Sequence, residues 1–122
     1  STPINFPTGL ALDEEKNLLY IAEHRNFAIR TLNLTSHFIS EFLNDPDILN
    51  GPQALILSKT WNVLFVSNNW QHTIFLISIN ETNFPAKRVA GTPPIPSFSG
   101  DRGFGIFAHL NGPTEMVLDE EN

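Results

Sequence analysis

Leu49–Pro52 reads "LNGP", Leu110–Pro113 reads "LNGP" again, and Ile4–Pro7 holds a blurred copy, "INFP". Three spellings of one corner make repetition the first property to test, because a period of roughly 20–50 residues decides an architecture before single residues can. At an offset of 45, Asn5, Pro7, Leu10, Leu12, Asn17, Leu19 and Ile29 fall on Asn50, Pro52, Leu55, Leu57, Asn62, Leu64 and Ile74. Tyr20/Phe65 and Ile21/Val66 match in kind. At an offset of 61, "LNGPTEMVLD" (Leu110–Asp119) lies over "LNGPQALILS" (Leu49–Ser58). The chain reads as two units and the start of a third.

Each unit reads as strands. In the first, "GLALD" (Gly9–Asp13), "LLYIA" (Leu18–Ala22), "FAIRTL" (Phe27–Leu32) and "HFISEFL" (His37–Leu43) are short apolar or alternating runs with polar punctuation. "QALILS", "NVLFVS", "TIFLISI" and "AKRVAG" repeat the scheme. Such spacing predicts an antiparallel meander, four strands to a unit, which is one propeller blade. Runs such as "ALIL" and "IFLISI" are apolar at successive positions, so both faces of the sheet are expected to be covered, as when blades stack around an axis. The "NGP" corner carries the chain from the outer edge of one blade to the inner strand of the next. Asn and Gly tolerate left-handed angles there, and Pro is expected to bias its predecessor to extended geometry.

The expected fold is therefore all-β: two four-stranded antiparallel blades plus the inner strand of a third, an open segment of a propeller or of a blade array. The units span 1–48 and 49–91, followed by a Gly/Pro-rich connection over 92–109 and the start of a third blade over 110–122. With 122 residues, 41% apolar content and ten Phe, the chain can bury a core. Its net charge is -6, and its seven Lys and Arg are scattered between residues 16 and 102. Phosphate backbones need clustered cations, so nucleic acid is not an expected partner. No apolar run approaches the roughly 18 residues of a membrane span, and no signal-peptide pattern opens the chain. Cysteine is absent, which removes disulfides and thiolate chemistry but leaves the redox compartment open.

"PTGLALDEEKNLLYIAEHRNFAIRTL" (Pro7–Leu32) resembles the NHL repeat, a β-propeller family. Asp13 takes the family's first acid, Glu23 stands where Asp is usual, Asn26 takes its Asn, Phe27 replaces its His, and Ile29-Arg30 fit its Ile-Arg. In the second unit Asn68 replaces the acid, Gln71 the Asn and Phe75 the Arg, while His72 takes the His. "RVAGTPPIPSFSGDRGFGIFAHLNGP" (Arg88–Pro113) is similar to the family's long connection between blades. No Gly-His pair or Trp-Asp dipeptide supports a WD repeat. The resemblance implies a propeller, most often six-bladed, used chiefly as an interaction scaffold and occasionally as a metal-dependent lyase.

Little in the chain points to catalysis. His24, His37, His72 and His109 have no spacing that puts two ligands on one face, so no metal or other cofactor is expected. The inner strands hold no histidine, nucleophile or carboxylate pair. Asp13 and Asp119 end equivalent strands and are read as acceptors for turn amides. The connection Gly91–Leu110 holds three prolines and four glycines. In it Asp101, Arg102 and Phe104 are the candidate interaction residues, with Asp101 positioned to lock the turn. Two sequons, Asn33–Thr35 and Asn80–Thr82, each follow the third strand of a unit. Glycans at Asn33 and Asn80 would make this an extracellular or cell-surface protein.

The expected role is a non-catalytic structural or interaction module in a larger glycoprotein or a self-assembled array or filament. The alternative is part of a lyase-type propeller whose site lies in other blades. Two blades cannot close a ring. Met116, Val117 and Leu118 are accordingly expected to pair with strand backbone from further blades, supplied by a longer parent chain or by neighbouring copies.

Overall fold

The computed structural model of the chain describes residues 3–80 and 86–91. Eight strands form over them: β1 Pro7–Asp13, β2 Leu18–Glu23, β3 Ala28–Asn33, β4 Ile39–Asn44, β5 Pro52–Ser58, β6 Val63–Asn68, β7 Thr73–Ser78 and β8 Ala86–Ala90. They make two four-stranded antiparallel meanders, β1-β2-β3-β4 and β5-β6-β7-β8. The first three strands of the second sheet begin and end 45 residues after those of the first. No helix occurs among the described residues, so none there is long and apolar enough to cross a membrane.

The repeat extends to the backbone. Left-handed φ angles recur at Phe6 (56°) and Gly51 (71°), at Asn17 (53°) and Asn62 (53°), and at Phe27 (53°) and His72 (58°). His24 N donates to Phe6 O (3.2 Å) as Asn69 N donates to Gly51 O (2.8 Å). Leu34 N donates to Asn17 O (2.9 Å) as Ile79 N donates to Asn62 O (3.1 Å). The residue before the corner proline thus has positive φ, against the extended geometry expected of it. Its carbonyl must be aimed at the next hairpin turn. Glycine meets that demand freely, whereas Phe6 adopts a φ that bulky residues rarely take. Phe27 and His37 (φ 65°) belong to turns, which moves β3 and β4 one to two residues later than the apolar pattern predicts.

The sheets stack face to face through β1 and β5. Thr8 Oγ1 donates to Pro52 O (2.9 Å), and a Cβ on Gly9 would lie 2.3 Å from Gln53 O. Ala11, Tyr20, Ala22 and Ile29 share the face of the first sheet that meets Leu55, Leu64, Val66 and Ile77 of the second. Phe42, Leu43 and Leu57 pack around this core, and Leu49 from the β4–β5 connection is fully buried in it. Tyr20 and Phe42 meet edge to face at 5.2 Å. Buried Leu or Ile side chains each contribute about 1.5–3 kcal/mol. One continuous core thus couples two separate hydrogen-bonded sheets.

Candidate functional site

Charged groups near the inner strands serve the joint between the sheets. Asp13, at the end of β1 and 1% exposed, accepts from Lys16 N (3.2 Å) within its own turn and pairs with Lys59 Nζ of the β5–β6 turn (2.8 Å). Lys59 also reaches Glu15 Oε2 (3.4 Å). Asp13 is therefore a turn acceptor, as its sequence position suggests, and also a cross-sheet partner. Burial by itself would raise its carboxyl, but the Lys59 ammonium and the Lys16 amide outweigh it and hold it below its ordinary value of 3.8. Its contribution to stability is then fully present above pH 3.8 and is lost as pH falls through the lowered folded value. In acid-unfolding titrations the stability gap between wild type and Asp13→Asn should stay constant above pH 3.8 and close as pH falls from there through the lowered folded value.

The opposite end carries an aromatic joint. Trp70 of the β6–β7 turn lies across Gly51, where a Cβ would come 2.8 Å from its ring. It meets His24 edge to face at 4.4 Å and Phe27 at 6.2 Å, both in the β2–β3 turn. Phe6 lies 5.9 Å from His24, and Arg25 stands 4.3 Å above the Phe6 ring. Burial, with the Arg25 charge beside it, pushes the His24 imidazole below 6.5, so it is neutral at pH 7. Its Nδ1 is buried and has no hydrogen-bond partner among the described residues. These rings clamp one turn of each sheet together.

A third polar group occupies a corner of the first sheet. Glu23 is fully buried and its Oε1 lies 3.3 Å from Arg30 Nε, close enough to pair although not aligned as a hydrogen bond. Its Oε2 accepts from Asn5 N (2.8 Å) and Asn26 Nδ2 (2.7 Å). A recess of ≈ 200 Å³ opens here, lined by Glu23, Asn26, Ala28, Arg30, Glu41 and Asn44. At the matching corner of the second sheet, Asn68 accepts from Asn50 N (3.2 Å) and donates to Ile48 O (2.7 Å), while Gln71 donates to Asp47 O (3.3 Å). The chain's own connection thus occupies that corner.

The two faces of the first sheet have different surroundings. One packs on the second sheet; the other exposes Leu10 (61%) and Leu12 (46%). Their counterparts 45 residues on are Leu55, 7% exposed, and Leu57, which packs against the core. Both faces of this sheet were expected to be covered; on this one Ile21, Ala28 and Arg30 are buried, while the β1 residues Leu10 and Leu12 stand open. The apolar run alone cannot show which of two faces has its neighbour present.

Of the candidate site residues, Asn33 ends β3 and Asn80 is exposed just after β7. Asp101, Arg102, Phe104, Met116, Val117 and Leu118 lie outside the described residues, as do the connection and the third unit. Sequence reading missed the Asp13–Lys59 bridge and the Trp70–His24 contact, because each joins residues from different repeats. No group of three or more His, Cys, Asp or Glu side chains able to hold a metal occurs among the described residues.

No family model matches the chain, and no curated protein matches it in sequence. Solved structures resemble it in fold. A nidogen/laminin complex aligns at 16% identity over 77% of this chain and 34% of its own, with a TM-score of 0.65. Virginiamycin B lyase from Staphylococcus aureus aligns at 23% identity over 78% and 29%, with a TM-score of 0.56. An auxiliary nutrient binding protein from Bacteroides ovatus aligns at 17% identity over 94% and 28%, with a TM-score of 0.73. The chain spans about a third of the length of these neighbours or less. Its two stacked meanders are blades of a β-propeller.

Proposed function

We propose that this chain is a non-catalytic structural and interaction module of NHL type, two blades that take their place among further blades in a larger extracellular glycoprotein or in a self-assembled array. The observation that carries the reading is the exposed pair Leu10 and Leu12, at positions where the second blade buries Leu55 and Leu57 against the first. A face already used once within the chain as a blade-to-blade surface is offered a second time. Its partner is protein: another blade from the parent chain or from a neighbouring copy. The nidogen/laminin likeness is consistent with a propeller that engages protein, though it supports the fold alone.

Sedimentation of the 122-residue chain should show concentration-dependent association, weakened about a hundredfold by Leu10→Ser with Leu12→Ser, since each leucine loses roughly 1.5 kcal/mol of burial, about tenfold apiece. A stable, monodisperse monomer would overturn the proposal. Zinc or calcium coordinated by the chain would instead favour the lyase-type alternative.

A further inference from the structure

We propose that Asn33 carries an N-linked glycan whose first N-acetylhexosamine packs on the ring of Phe38. This rests on the glycoprotein reading above and names the site and its contact. Asn33 ends β3 and Leu32 pairs with Ile39 across the β3–β4 turn; Asn33 N then donates to Phe38 O (2.9 Å). Asn33 and Phe38 are the next opposed pair of that hairpin, so their side chains stand side by side on one face. The register puts that face on the side of Asp13 and Leu18, which already holds the second blade through Lys59. Phe38 nevertheless remains 73% exposed. A second blade in place has not covered it, so its ring is not explained as a surface awaiting one.

The turn presents the acceptor ready-made. Asn33 Oδ1 accepts from Thr35 N (2.9 Å) and Ser36 N (3.0 Å), while Nδ2, the atom joined to sugar, makes no hydrogen bond among the described residues. Asn17 Nδ2 donates to the Thr35 hydroxyl (2.8 Å), and His37 N donates to Asn33 O (2.7 Å). In the transfer, Nδ2 forms a bond to C1 of the sugar. The C1–oxygen bond of a lipid-pyrophosphate oligosaccharide donor breaks, the pyrophosphate leaves with the electron pair, and the amide loses one proton. Oδ1 remains a carbonyl and keeps its turn bonds. A sugar ring leaving Nδ2 meets the neighbouring phenyl ring with its C–H face, an apolar contact made without ordering the turn afresh.

The test uses the full chain with Thr82→Ala, which silences the second sequon, and the same chain with Phe38→Ala, each made in a secretory eukaryotic host and in bacteria. Peptide mass spectrometry should find Asn33 modified in the secreted proteins. The glycan should raise Tm by about 3 °C with Phe38 present, survive trimming to a single N-acetylglucosamine, and give no increment with Phe38→Ala. If secreted protein with both sequons intact is unmodified at Asn33 and Asn80, the glycoprotein reading falls and this inference with it. If Asn33 is modified but the increment is the same without Phe38, or needs the outer sugars, only the packing on Phe38 is overturned.

Discussion

Gly9→Ala is expected to destabilise the chain by about 3 kcal/mol, measured as a lowered urea midpoint. An alanine in an extended strand ordinarily gains about 0.4–1 kcal/mol over glycine by restricting the unfolded chain. Here the added Cβ would lie 2.3 Å from Gln53 O and 3.1 Å from Ala54 Cα, both backbone atoms of β5. A side chain could swing aside, but a strand held in its own sheet can move only as a unit. The inner strands must then separate, which strains the Thr8–Pro52 bond and loosens Ala11 and Leu55 in the shared core. The steric effect exceeds the entropic gain several-fold. Ala54→Gly, the reverse exchange at the equivalent position, should cost only the roughly 0.5–1 kcal/mol of a glycine in a strand. Equal effects from the two substitutions would show that Gly9 does not set the blade spacing.

The period of 45 made the architecture legible, because each blade must bury its faces against copies of itself and so repeats its apolar positions. Leu10, Leu12 and Leu19 therefore predicted Leu55, Leu57 and Leu64 as strand residues of a second sheet, and β5 to β7 begin and end where that offset puts them. Boundaries at Phe27 and His37 were misplaced because hydrophobicity does not report a left-handed φ. Asp13 was legible as a turn acceptor because Lys16 is three residues away, whereas Lys59 is its partner only once the blades are stacked. The aromatic joint was invisible for a similar reason. Trp70 and His24 are not equivalent in the repeat, and their contact arises from the angle between the blades. Phe38, an exposed ring beside a sequon, became informative only through the hairpin register.

Replacing Arg30 by Ala is expected to lose about 3–5 kcal/mol, and Arg30→Phe alone nearly as much, because either leaves the fully buried Glu23 carboxylate without its guanidinium. The second blade shows how the same corner is built without charge: Asn68 stands at the position of Glu23 and Phe75 at that of Arg30. Asn68 still accepts from the amide of Asn50, as Glu23 does from Asn5, so the hydrogen bond that holds the incoming chain does not require a carboxylate. Combining Glu23→Asn with Arg30→Phe removes both buried charges together and installs the two residue types that the second blade has at the equivalent positions. That double variant should lie within about 1 kcal/mol of wild type, since exchanging a buried ion pair for well-packed uncharged groups is often neutral. The coupling between the two sites, read from denaturant midpoints of the four proteins, would then be about 2 kcal/mol or more. Additive losses in the double variant would instead mean that Arg30 stabilises the corner independently of Glu23, and the two blades would not be interchangeable there.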